Sequence, residues 1–199
     1  MYLDWPFRLA LILIAGVHLS LSRRFLKASK AGGTVFQNRA EGLPLSVATG
    51  VAYGLYCLAV LVYLVYPSWM AWGHFPLGSN LRWMGAVLMA LGSALHLWGM
   101  AHLGQNLTIS ISTRAGHCLI TDGPFSWVRH PLYVGGMIES LGVCLLLSNG
   151  AVALCAGAFW GLVVWRTPLE EQVLREAFGE DYDAYCARVG RFFPRLWCA

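Results

Sequence analysis

Five runs of mostly apolar residues, 5–21, 45–66, 81–101, 132–147 and 151–166, set the terms for this chain. A helix that crosses a bilayer needs about 20 such residues, and all five runs approach that length. A soluble domain of 199 residues cannot bury them all, because 57% of its residues are hydrophobic and only 12% are charged. The mean hydropathy of +0.57 points the same way. The sequence therefore predicts an all-α integral-membrane fold of five transmembrane helices, organised as one domain. Residues 148–150, Ser-Asn-Gly, make a tight turn, so the last two runs form a C-terminal helical hairpin.

The charges supply an orientation. Segments 22–44, 102–131 and 166–199 carry five, two and five basic residues, twelve of the 14 in the chain. With five spans, all three lie on one side. The positive-inside rule makes that side cytoplasmic and puts the N-terminus outside. The net charge of +4 then needs no nucleic-acid partner, and no basic run interleaved with aromatics suggests one. Membrane lipids are the expected surroundings. The first run lacks a small-x-small cleavage site and is followed by Arg23 and Arg24, so it reads as a retained span. Six cysteines lie without C-x-x-C spacing, and no metal site is expected from them.

Two segments on the basic side carry chemistry. The first is Gly-His-Cys-Leu-Ile-Thr-Asp-Gly-Pro-Phe-Ser-Trp-Val-Arg-His-Pro-Leu-Tyr-Val-Gly-Gly, residues 116–136. Thr121-Asp122-Gly123-Pro124 is a turn signature. Pro131 biases His130 away from helix and itself suits the first helical position. Arg129 and His130 thus sit at the positive end of the fourth helix, where unpaired N–H groups attract anions. Arg129 equally suits lipid phosphates, and Tyr133 equally suits an interfacial belt. Gly135 and Gly136 thin the helix for a flat ligand or for another helix. Glu139 lies about 10 Å further along, counted from Pro131. A carboxylate at that depth is either a neutral acid bonded to a neighbouring helix or the edge of a polar cavity. His96, within the third run, reads as a buried histidine bonded to another helix.

The second segment, 165–195, opens on Thr167-Pro168-Leu169-Glu170, the pattern of a capping box with proline at N1. It predicts a new helix starting at Thr167, an apolar face through Val173, Leu174, Ala177 and Phe178, a C-cap at Gly179, and a short helix over 181–187. These helices would be amphipathic and cytoplasmic. Glu170 and Glu171 would offset the macrodipole of the first turn.

Residues 116–195 resemble the C-terminal half of the isoprenylcysteine carboxyl methyltransferases and their prokaryotic relatives, a superfamily that includes phospholipid methyltransferases. The order of the Arg-His-Pro segment, the hairpin, the double glutamate and Pro194 carries the resemblance. It implies S-adenosylmethionine as cofactor, S-adenosylhomocysteine as product, and a lipophilic or lipidated acceptor entering from the bilayer. Carried over by position, it implies cofactor contacts from His117, Cys118, Leu119, His130, Tyr133, Gly135, Glu170 and Glu171. It implies an acceptor or catalytic role for Arg166, and it places the acceptor pocket among the three spans within 1–101. A carboxylate acceptor needs a cation for orientation, which Arg166 or Arg129 supplies. A thiol or ammonium acceptor needs a base, and Glu139, outside the family motif, is the candidate. Two other readings stand beside this one. A membrane reductase using NADPH lacks a long basic pocket for the 2′-phosphate, and a non-catalytic protein would not need so intact a motif set.

Overall fold

The computed structural model describes residues 4–30, 35–37, 42–104, 107, 112–114 and 118–195. Among the described residues, six α-helices carry the fold: α1 (Trp5–Lys30), α2 (Leu43–Val65), α3 (Ser79–Leu103), α4 (Pro131–Leu147), α5 (Gly150–Phe178) and α6 (Glu180–Arg188). Four of them, α1, α2, α3 and α5, are long and apolar enough to cross a membrane, and α4 is a shorter apolar helix. Their outward faces are greasy, as Val47, Val51, Leu55, Leu58 and Leu61 on α2 show by their exposure. The chain is a multi-pass integral membrane protein. One two-stranded antiparallel ladder, not expected from the sequence, pairs β1 (Val35–Gln37) with β2 (Ser112–Arg114) in the register Val35↔Arg114. Its strands come from the two basic loops, so both loops lie at the same end of the bundle.

Two boundaries depart from expectation. Helix α1 runs on past Arg23, Arg24 and Lys27 to Lys30, because no proline interrupts its interior. The expected helix start at Thr167 does not exist. Helix α5 passes straight through Pro168. The Thr167 hydroxyl donates to the Val163 carbonyl at 2.7 Å, one turn back, and so cannot cap.

The tightest packing in the bundle is between α3 and α4, and glycines make it possible. Gly85, Gly92 and Gly99 recur every seven residues on α3 and meet α4 at Gly142, at Gly135 and Glu139, and at Leu132. A Cβ at Gly85 would lie 2.7 Å from both the Gly142 carbonyl oxygen and the Leu146 nitrogen. One at Gly135 would lie 2.6 Å from the His96 nitrogen. Backbones in such contact maximise dispersion where lipid removes the hydrophobic drive between helices. The expected hairpin is present, but its arms diverge. Helix α4 lies along α3, while α5 leans on α2.

The turn between the arms is pinned at the far end of the bundle. Ser148 takes a left-handed conformation with φ of +53°. Asn149 is fully buried and caps α5 through its Oδ1, 3.0 Å from the Ala151 nitrogen, while its Nδ2 donates to the Met70 carbonyl at 2.8 Å. Nearby, Arg82 is buried with its guanidinium 3.8 Å from the Phe7 ring centre. Its Nε donates to the Leu146 carbonyl at 2.9 Å and its Nη1 to Asp4. Arg8 bonds the Leu64 carbonyl. Arg8 and Arg82 are the two basic residues outside the three basic segments, and both are used as internal ties.

Gly85→Ala should lower stability by about 1–3 kcal/mol through overpacking, whereas Gly157→Ala, at a site with nothing within 4 Å, should leave it unchanged or slightly raised. Thermal unfolding in detergent micelles measures both.

Candidate active site

The site assembles where the chain enters α4 and where α5 runs on past its apolar section. Gly123 adopts φ of +56° and opens a 3-10 turn over Gly123–Ser126, which turns the chain toward the bundle. Residues 128–130 follow, with Val128 in a parallel bridge to Gly190. The strand-like segment after α6 runs beside them, with the Arg129 amide donating to the Gly190 carbonyl at 2.8 Å and the His130 amide to the Arg191 carbonyl at 3.2 Å. Tyr185 of α6 donates its hydroxyl to the Phe125 carbonyl at 2.7 Å. The C-terminal helix and tail thus close over the approach turn. Pro131 occupies the first turn of α4, as expected, and no side chain caps that turn.

Glu171 is the hub. It is 4% exposed, yet it accepts from three side chains. Arg129 donates to Oε1 through Nε at 3.1 Å and Nη2 at 2.8 Å. His130 donates Nε2–H to the same oxygen at 3.1 Å. Arg191 spans both oxygens, with Nε 3.0 Å from Oε1 and Nη2 2.5 Å from Oε2. Such charge-assisted, forked contacts are what make a buried carboxylate tolerable. The bond to Glu171 lifts the Arg191 guanidinium above its ordinary pKa. Burial, and then the Glu171 charge, push the Tyr182 hydroxyl up as well. Two guanidiniums against one carboxylate leave a net positive charge beside the uncapped start of α4.

A second group lies beside this hub. The Tyr133 hydroxyl donates to Glu170 Oε2 at 2.6 Å, and Arg166 Nη2 lies 3.5 Å from the same hydroxyl. Tyr133 stacks on His130, with ring centres 5.4 Å apart and planes 4° from parallel. The stack joins the two groups into one surface.

The structure therefore brings Arg129, His130, Tyr133, Arg166, Glu170 and Glu171 together, with α4 and α5 supplying opposite sides. Arg129 is spent on Glu171 and on the Val189 carbonyl, which leaves Arg166 as the arginine of the second group. Gly135 faces α3 and receives that helix, the second of its two expected uses. Cys118 is exposed and Leu119 packs near Tyr182, Tyr185 and Val189. His117 lies outside the described residues. Glu139 is not at this site. It faces α1, where His18 Nδ1 approaches its Oε1 to 3.2 Å. Sequence reasoning missed Arg191, whose only signal was its place in a basic tail. It also missed Trp160, which packs over Gly136 and donates to Ser140 Oγ at 2.9 Å.

A profile for the isoprenylcysteine carboxyl methyltransferase (ICMT) family matches residues 84–176. Protein-S-isoprenylcysteine O-methyltransferase B of Arabidopsis thaliana is 31% identical over 146 residues, covering 70% of this chain and 73% of that one. The chain belongs to the isoprenylcysteine carboxyl methyltransferase family. The Dictyostelium discoideum relative is 31% identical over 133 residues, 64% of this chain, and the human one 32% over 125 residues, 58% of this chain. The chain spans 56% and 43% of their lengths, so the match is to part of each. A solved structure of a eukaryotic intramembrane Ras methyltransferase of this family shares the fold, with a TM-score of 0.56 at 21% identity, over 94% of this chain and 68% of that one.

Glu171→Gln removes one charge and strands two arginines. It should destabilise the protein by on the order of 3 kcal/mol. Glu180→Gln, on the exposed first turn of α6, should change stability by less than about 0.5 kcal/mol. Thermal melts of ligand-free protein compare the two.

Proposed function

We propose that this chain is an integral-membrane methyltransferase that uses S-adenosylmethionine to methylate the carboxylate of a lipophilic acceptor of the isoprenylcysteine type. The observation that carries the reading is the convergence of the Tyr133–Glu170–Arg166 group with the Glu171 hub, on a chain that belongs to this family.

The residues present fit the cofactor. The uncapped first turn of α4 and the net positive hub suit its carboxylate, with Arg191, whose side chain is 40% exposed, on the accessible flank. The Glu170 carboxylate, held by the Tyr133 hydroxyl, suits its ammonium or ribose hydroxyls. His130 and Tyr133 offer a flat stacked wall. Bound S-adenosylmethionine supplies an electrophilic methyl group on a sulfonium sulfur. An ionised carboxylate acceptor reaches it without losing a proton, so the protein's tasks are orientation and exclusion of water. Arg166 orients that carboxylate, and Tyr133 couples its position to Glu170. The Glu171 hub fixes the His130 ring and the start of α4. The same site could take an amine or thiol acceptor only with a base to remove its proton.

For topology we read five spans, with α4 as the short one, the N-terminus outside and the C-terminus in the cytoplasm. Concentration of basic residues at the end that carries the β1–β2 ladder supports this. Helix α6 and the end of α5 then form a cytoplasmic cover, and spans α1 to α3 shape the acceptor side.

S-adenosylhomocysteine should raise the melting temperature of purified protein, and NADPH should not; the reverse would favour a reductase. Glu170→Ala should weaken S-adenosylhomocysteine binding by about tenfold or more, the worth of one charged hydrogen bond. Arg166→Ala should bind it normally while losing about 10²-fold or more in turnover, the usual loss when one charge-stabilising donor is removed. Equal loss of binding in both variants would refute this division of roles.

A further inference from the structure

The site above does not contain Glu139, which faces α1. Its surroundings are nonetheless built from three helices. The approach of His18 Nδ1 from α1 lies outside hydrogen-bonding angles, and that nitrogen has no hydrogen-bond partner among the described residues. Ser93 of α3, 5% exposed, faces the same carboxylate, and its hydroxyl likewise closes no hydrogen bond of normal geometry. Behind His18 stands His96, with ring centres 5.2 Å apart, and its Nδ1–H is already given to the Leu132 carbonyl at 3.1 Å. The pair is not sealed, because the His18 and Glu139 side chains are 17% and 19% exposed.

Three polar groups thus converge in an apolar span, and the His18 nitrogen and the Ser93 hydroxyl are left without a hydrogen bond of normal geometry. Unpaired polar atoms at that depth cost several kcal/mol, so an incomplete set is poorly explained as a structural tie. The Asn149 tie looks different: its Oδ1 accepts from the Ala151 and Val152 amides and its Nδ2 donates to the Met70 carbonyl. A carboxylate calls for a donor, and the serine hydroxyl beside it can both donate and accept. A hydroxyl on a ligand fits both. Tyr133, at the methyl-transfer site, is six residues before Glu139 on the same helix, so the two positions are about 9 Å apart along its axis.

We propose that Glu139, Ser93 and His18 form a specificity subsite for a hydroxyl group carried on the apolar chain of the acceptor, about 9 Å further along the α4 axis than Tyr133. This rests on the methyltransferase reading and refines its substrate class. The acceptor is a hydroxylated lipophilic acid, and an unadorned prenyl chain leaves the subsite unfilled. No bond to the hydroxyl is made or broken there. Glu139 accepts its proton in a hydrogen bond, and Ser93 completes the contact.

The test compares two acceptors on wild-type protein: N-acetyl-S-farnesylcysteine and its analogue with one hydroxyl at that distance along the chain. Methyl transfer from radiolabelled S-adenosylmethionine and acceptor affinity in the presence of S-adenosylhomocysteine are both measured. The hydroxylated acceptor should show at least tenfold higher kcat/KM, carried by KM and matched in affinity. Glu139→Leu should erase the preference while leaving S-adenosylhomocysteine affinity unchanged. Equal kcat/KM for the two acceptors, or a preference that survives Glu139→Leu, overturns the subsite. Absence of S-adenosylhomocysteine binding by wild-type protein instead overturns the methyltransferase reading beneath it. Should Glu139→Leu fail to fold, the wild-type comparison and Ser93→Ala, expected to reduce the preference severalfold, decide the matter.

Discussion

The backbone contact between α3 and α4 is the constraint on which the other features rest. Two helices meet this closely only where Cβ atoms are absent, and the seven-residue glycine repeat on α3 keeps the absent side chains on one face. Once α4 is seated, several positions follow. Its first turn lies at the level of the basic loops. The His96 ring reaches the Leu132 carbonyl, and Glu139 is aimed at α1. Helix α5 is free to lean away onto α2 because α4 has its partner already. The space opened by that divergence is where Trp160 enters, over Gly136.

Glu171 does a comparable task outside the apolar section. An isolated buried carboxylate would be unstable, and two arginines and a histidine held by separate segments make it tolerable. Those segments are the approach to α4 and the tail after α6, which are distant in sequence from the helix carrying Glu171. The hub therefore fastens the tail over the approach turn and fixes the orientation of the His130 ring. The ring in turn supports Tyr133, so the geometry near Glu170 and Arg166 depends on a carboxylate that need not touch a ligand. Two neighbouring glutamates thus have different environments. Glu170 is half-buried and bonded through Tyr133 alone among its described hydrogen bonds, whereas both Glu171 oxygens are occupied.

Much of the architecture was legible because each signal was local. Apolar run length marks spans, proline at residue 131 marks a helix start, and Gly179 marks the joint between α5 and α6. Where local rules competed, the sequence misled. Thr167-Pro168-Leu169-Glu170 satisfies the capping pattern, yet the helix was already in progress upstream and is held downstream by the Glu171 hub, so proline is carried inside it. The glycine repeat at 85, 92 and 99 was visible but silent, since only the facing glycines of α4 give it meaning. Arg191 had no signal beyond its place in a basic tail, because its role depends on the tail folding back beside residues 128–130.

By itself, the sequence determined the membrane class, the helical periods, the hairpin turn, the common side of the basic loops and the segments that assemble the candidate site. These follow from solvation of the chain and from short-range sterics. Only the tertiary structure decided which glutamate is enclosed by arginines, which arginine remains beside Tyr133, and that Glu139 looks toward His18 and Ser93 away from the main site. Those outcomes depend on helix rotation and on contacts between residues far apart in the chain. A linear pattern does not specify them until the α3–α4 seam fixes which way each face points.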